Sequence, residues 1–167
     1  MTTSRAELHA VIAGALDEAE IRYESPGEGQ FFCTLPGTHK LATHCWLVVG
    51  PHALLVEAFV VRKPDENAEE FYRFLLRRNA RLYAVGFSID ANGDVYLVGR
   101  LPLSAVTPEE VDRILGSVLE YADSSFDPLL ELGFASSIRR EWAWRKDRGE
   151  SMANLQAFAR FADPDRQ

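Results

Sequence analysis

Cys33, His39, His44 and Cys45 fall within thirteen residues, and two thiols with two imidazoles are a donor set that zinc accepts. The spacing speaks against a shared ion. His44 and Cys45 are neighbours in a run that reads as a strand, so their side chains leave on opposite faces. Small buried thiols and ordinary loop or strand histidines are expected instead. A Cys33–Cys45 cross-strand pair stays open if the hairpin registers them, although a reducing compartment would keep both as thiols. Asp90, Asn92, Gly93 and Asp94 resemble the first half of a calcium loop. Its twelfth position is Leu101, where a bidentate glutamate is required, so a hairpin turn is the better reading. Asp65, Glu66, Glu69 and Glu70 read as the solvated start of a helix. No phosphate-cradling glycine loop, nucleophile elbow or dinucleotide fingerprint is present in the sequence, and no catalytic residue, metal or cofactor is predicted.

The segment 138–148 stands out, with two of the three tryptophans and five basic residues in a chain of net charge -7. Trp and Arg dominate interface hot spots, which makes Arg139, Arg140, Trp142, Trp144 and Arg145 candidates for binding a protein partner. The same residues suit stacking on single-stranded RNA, a reading that the overall negative charge disfavours. Internal packing competes with both: Ile138, Trp142 and Arg145 share one helical face and would dock this helix on the sheet, arginine stems lying over apolar surface. A further alternative is a small-molecule pocket, or an enzyme, built near His39, His44 and Glu57.

These residues are carried by elements that the sequence marks clearly. Ser4 and Glu7 form a capping box ahead of a helical stripe through Leu8, Val11, Ile12, Ala15, Leu16 and Ala19, ending near Glu20. Pro26, Gly27 and Gly29 read as a turn, and 31–35 as an aromatic-rich strand. The runs 45–49 and 54–61 flank Gly50-Pro51-His52 as a buried hairpin. After Pro64 the period becomes helical through Ala68, Phe71, Tyr72, Leu75 and Leu76, with glutamates early and arginines late, as the helix dipole prefers. Strands at 82–89 and 95–103 follow, joined by Asn92-Gly93, whose two residues are expected to take the positive φ of a tight turn. Thr107, Pro108 and Glu110 then open a helix with inner face Val111, Ile114, Leu115, Val118, Leu119 and Ala122.

The order α-β-β-β-α-β-β-α predicts an α+β fold with an antiparallel sheet flanked by helices. Asp127-Pro128 is expected to break the chain into a C-terminal helical extension over 127–162. The 167 residues, 47% hydrophobic and 26% charged, suit one globular domain at 1–162 with its core at 4–123. Residues 163–167 read as a disordered tail. No run approaches the length of a membrane span and no signal peptide is recognised, so the chain reads as cytoplasmic.

Three stretches carry a resemblance to a known family: Leu35-Pro36-Gly37-Thr38-His39-Lys40-Leu41 on to Val61, then Gly93-Asp94-Val95-Tyr96-Leu97-Val98-Gly99-Arg100-Leu101-Pro102-Leu103, then Leu130-Glu131-Leu132-Gly133-Phe134 through Glu141-Trp142-Ala143-Trp144-Arg145. Together they resemble the actinobacterial branch of the YbjN family over most of the chain. The resemblance implies a fold related to the class I chaperones of type III secretion, which are small, acidic, cytoplasmic and dimeric and hold a partner segment in extended form. It brings no catalytic residues. A non-enzymatic protein-interaction module, chaperone-like or regulatory and homodimeric, with neither membrane nor nucleic acid as its partner, is the expectation that follows.

Overall fold

Ser4 caps the first helix as expected: its hydroxyl accepts from Glu7 N–H while the Glu7 carboxylate takes the Ser4 N–H. The computed structural model describes residues 2–166. Met1 and Gln167, at the outer ends of the predicted domain and tail, lie outside the described residues. Helix α1 (Arg5–Glu18) buries Leu8, Ile12, Ala15 and Leu16, positions one turn apart on a single face.

Six strands make one sheet: β1 (Arg22–Gly27), β2 (Gln30–Pro36), β3 (Ala42–Val49), β4 (Ala53–Val61), β5 (Val85–Ile89) and β6 (Val95–Pro102). Their order is β1-β2-β3-β4-β6-β5, and every neighbouring pair is antiparallel. The α+β class and the helix-flanked antiparallel sheet therefore stand, with one strand more than the pattern predicts. That strand is β1, where Pro26 and Gly27 pointed to a turn. It is an edge strand whose residues are mostly exposed, so it shows no apolar alternation, and an edge tolerates proline because one side of its backbone needs no ladder bond.

The turn between β5 and β6 also differs from the expectation. Of its two central residues only Gly93 has positive φ, at 86°. Asp90 organises the loop instead: its carboxylate accepts the N–H groups of Asn92 and Asp94, and its backbone carbonyl accepts from Gly93. This is a longer, aspartate-centred turn closed by a glycine bulge.

Helix α2 (Ala68–Asn79) packs at the β5 end. Helix α3 (Pro108–Arg148) spans 41 residues as two helical stretches joined across a kink, capped by Thr107 at its start and by Gly149 at its end. Pro128 lies inside it and does not end it, which corrects the predicted break at 127–128. The lost backbone bond is offset because Ser125 and Leu129, on either side, are buried, and packing holds the helix through the proline. The interruption comes at Phe134, whose φ of -139° is non-helical. Gly133 makes it possible. A side-chain carbon there would lie 2.9 Å from both Phe71 and Pro64, so only glycine lets α3 pass so close to α2.

The groups freed by the interruption find partners on the 62–66 loop. The Gly133 carbonyl accepts from the N–H groups of Asp65 and Glu66. Glu66 in turn accepts the Ser136 N–H at 2.7 Å and the Ser136 hydroxyl at 2.9 Å, capping the restarted helix from outside. The acidic cluster read as a solvated helix start is in this respect a fastening for α3.

Beyond Phe134 the second half of α3 runs to Arg148, and the chain turns back through Ala153–Phe158 and α4 (Ala159–Ala162). Leu155, Phe158, Ala159 and Ala162 are buried together with Ile138 and Trp142. The segment Pro164–Arg166 forms one further helical turn, and Asp165 pairs with Lys146, so the described part of the predicted tail is held against α3.

Candidate functional site

Strand alternation divides the sheet into two unlike faces. Phe31, Cys33, Leu35, Cys45, Leu47, Val49, Leu54, Val56, Ala58, Val95 and Leu97 point inward and are almost wholly buried under α1 and α3. Phe32, His44, Trp46, Val48, Leu55, Glu57, Phe59, Tyr96 and Val98 point to the opposite, outer face and are half-buried or exposed; Phe59, at the end of the strip, also borders α3. Trp46 keeps 39% and Phe59 40% of their surfaces in solvent.

Register lines the outer residues into rows. Phe32 stands opposite Trp46, Trp46 opposite Glu57, and Glu57 opposite Val98. The row beside it joins Gln30, Val48, Leu55 and Arg100. Phe32 stacks on His44 with ring centres 5.1 Å apart and tilts against Trp46 at 4.9 Å. Phe59 meets Tyr96 edge to face at 5.5 Å. Burial, with Asp90 and Asp94 behind it, pushes the Tyr96 phenol above its ordinary value, so it stays neutral. This face is an apolar, aromatic strip with the Glu57 carboxylate set in it. Such a surface offers contact area through its side chains, since the backbone groups of β2, β3, β4 and β6 are taken up by strands on both sides.

The loop after β2 is fixed to α3. Asp123 Oδ1 accepts the N–H groups of Thr38, His39 and Lys40 at 3.0, 2.9 and 3.0 Å. One helical turn on, Asp127 takes His39 Nδ1 at 2.8 Å. Burial raises the Asp123 carboxyl, but the three backbone hydrogen bonds outweigh it and hold the group below its ordinary value. This explains the Pro36-Gly37-Thr38-His39-Lys40 motif as a clasp. His39 is thereby bound to α3, while His44 and Glu57 sit on the outer sheet face, so the three do not line a common pocket.

Of the five candidates on α3, Trp142 is 5% exposed and belongs to the core of the C-terminal hairpin. Arg145 reaches Glu141 at 2.6 Å and the Ser151 carbonyl at 3.0 Å. Arg139 donates to the Phe161 carbonyl and lies over that ring. These two arginines thus fasten the returning chain. Arg140 is exposed and donates to Ser137. Trp144 is 46% exposed and carries Arg148 over its ring at 4.9 Å. Of the outward strand residues the sequence reading picks out only His44 and Glu57; the aromatic ones lie in runs that read as buried throughout.

Among the described residues no three His, Cys, Asp or Glu side chains come together to hold a metal ion. Asp90 and Asp94 are engaged by backbone N–H groups, Asp94 by that of Lys63 at 2.8 Å. No helix among the described residues is long and apolar enough to cross a membrane.

Residues 9–131 match the model of the YbjN family, described as "Putative bacterial sensory transduction regulator". The uncharacterized protein Rv0487 of Mycobacterium tuberculosis is 55% identical over 164 residues, covering 95% of this chain and 90% of its own. The fold is similar to that of chains in two solved complexes of low sequence identity. The ExsC-ExsE complex aligns with a TM-score of 0.56 at 19% identity, over 77% of this chain and 97% of its own. The HopA1-SchA chaperone-effector complex aligns at 0.54 and 13% identity, over 73% and 94%.

Proposed function

The chain belongs to the YbjN family, and from that premise we propose that it is a non-enzymatic, cytoplasmic protein-binding module, chaperone-like or regulatory, that holds an extended polypeptide segment of its partner on the outer face of the sheet. The observation that carries this reading is the aromatic strip of Phe32, Trp46, Phe59 and Tyr96 on the sheet face opposite the one that α1 and α3 bury. An extended segment fits strand geometry, with alternate side chains meeting the strip. Covering a fully exposed aromatic side chain contributes about 1.5–3 kcal/mol; Trp46 and Phe59 keep 39% and 40% of their surfaces to cover, so a stable complex draws on the whole length of the strip. The shared fold with a chaperone-effector complex supports a polypeptide as the occupant.

A second copy of the chain occupies a different surface in this proposal. Strand β5 is a sheet edge, and beside it Leu76, Ile89 and Tyr83 are 70%, 50% and 43% exposed. Apolar side chains next to an unpaired edge favour pairing with another copy. Trp144 and Arg140 form a third, smaller contact area on α3.

Photo-crosslinking tests the main reading in cells that express the protein. A photoreactive phenylalanine analogue replacing Trp46 should trap a partner polypeptide, and the same group replacing Glu18 on α1 should not. Phe32→Ala with Phe59→Ala should abolish the product. Equal trapping from both positions, or none from Trp46, would overturn the proposal. Light scattering of Leu76→Glu with Ile89→Lys should show a monomer where the unaltered chain is a dimer; a monomer in both removes the homodimer.

A further inference from the structure

The ladder between β3 and β4 runs from Val49–Leu54 to Cys45–Ala58, and beyond Ala58 strand β4 pairs with β6 alone. Into the opening come the clasped loop and the stretch of α3 on both sides of Phe134. They leave a hollow of about 530 Å³, within the size range of small-ligand sites. Its wall is mostly apolar: Phe59, Phe126, Leu130, Phe134 and Ile138 line it, and Lys40 stands at its side.

Lys40 is the informative residue. Its ammonium is half-buried, donates to the Phe59 carbonyl at 2.8 Å, and lies 5.3 Å and 5.8 Å from the centres of the Phe59 and Phe126 rings. Among the described residues, the carboxylates of the clasp and of the hollow's wall are already engaged. Asp123 holds the loop N–H groups, Asp127 holds His39, and across the hollow Glu141 holds Arg145 and Asp65 holds Arg62. A partly desolvated cation with no anionic partner is costly, and an incoming anion relieves that cost. Burial brings Lys40 down to about 8, in keeping with a charge that lacks its counterpart. Arg62, stacked over Phe134 at 4.3 Å, is already paired with Asp65, which leaves Lys40 as the cation that lacks a carboxylate.

We infer that this hollow is a binding site for a small amphipathic carboxylate, its apolar body against Phe126, Leu130 and Phe134 and its carboxylate on the Lys40 ammonium. The site is separate from the polypeptide-binding strip, with Phe59 alone common to both, and stands whether or not that reading holds. Binding of an anion requires the protonated amine, so affinity falls as the pH rises past about 8. Arg62 keeps its charge throughout this range, and Asp65, Asp123, Asp127 and Glu141 remain in their existing pairs.

Isothermal titration with octanoate, beside 1-octanol and octyltrimethylammonium as neutral and cationic matches, tests the site. Octanoate should bind the full chain and raise its melting temperature. The alcohol and the cation should bind at least about tenfold more weakly, since a charge-assisted hydrogen bond is absent. Lys40→Met, which keeps the length of the side chain, should lose the preference for octanoate. Leu130→Trp, which fills the hollow while leaving the amine in place, should block all three. No octanoate binding at millimolar concentration, equal binding of octanoate and octanol, or unchanged octanoate binding by Leu130→Trp would overturn the inference.

Discussion

Asp123 closes the turn that Gly37 opens: a side-chain carbon on Gly37 would stand 2.5 Å from Asp123 Oδ1 and closer still to the Lys40 carbonyl oxygen. The two residues are far apart in sequence, yet neither can change without the other. The glycine admits the carboxylate, and the carboxylate collects three N–H groups from the residues after the glycine. Gly37→Ala should therefore cost about 2 kcal/mol or more in urea unfolding, because backbone, not a flexible side chain, obstructs the new carbon. Asp123→Ala should cost about 1–3 kcal/mol by stranding the donors. The double variant should lose less than the sum, as the two act on one contact; strict additivity would show that they are independent.

Acid should loosen the same clasp. Asp123 has a folded value below the ordinary 3.8, so its contribution is complete above that value and disappears as the pH falls through the lower, folded one. Asp65, paired with Arg62, and Glu66, held first by the Ser136 N–H, are lowered in the same sense. Asp123→Asn keeps an acceptor oxygen and removes the charge. Its stability deficit should be full near pH 7 and shrink below about pH 4. A deficit that stays constant down to about pH 3 would mean that the carboxylate's charge contributes nothing.

How far the sequence carries the fold is clear from particular residues. The helix that Ser4 and Glu7 open and the stripe Val111, Ile114, Leu115 and Val118 each combine a local signal with a single buried face, and local signals of that kind survive folding. Strand β1 left no such trace because its exposed residues earn their ladder bonds only from β2. The course of α3 was hidden for the opposite reason: Pro128 is a strong local breaker that buried neighbours overrule, while the real interruption depends on Gly133 meeting Phe71 and on Glu66, contacts between residues far apart in the chain. The outer strip was hidden because 54–61 is apolar on both sides except for Glu57, and the placement of α1 and α3 on one face alone distinguishes the two.

The interruption at Phe134 gives a third prediction. Glu66→Ala removes the acceptor for the Ser136 N–H and should destabilise the fold, as a lost helix cap does. Gly133→Ala should cost more, since Phe71 is fully buried and cannot yield. Both should loosen the hairpin beyond Phe134 before the sheet, which limited trypsin digestion reads as faster cleavage after Arg139 and Arg140. Unchanged cleavage would show that the hairpin does not depend on this fastening.

Cys33 and Cys45 stand directly opposite each other across β2 and β3, both without solvent exposure. Burial pushes the Cys33 thiol up to about 12. Cys45 is raised further, by burial first and by its neighbour second. Because the thiolate is the reacting form, a rise from the ordinary 9.0 to about 12 lowers the reactive fraction at about pH 8 by about a thousandfold, before access is considered. Iodoacetamide should thus modify neither cysteine in the native protein over the time in which the urea-unfolded chain is labelled completely. The raised values also set a sign at high pH: above about 9 the unfolded thiols ionise while the folded ones do not, so stability should fall as the pH rises. Rapid native labelling of Cys33 would show that the face under α1 and α3 opens, and that the inner and outer faces of the sheet are less distinct in solution than their burial implies.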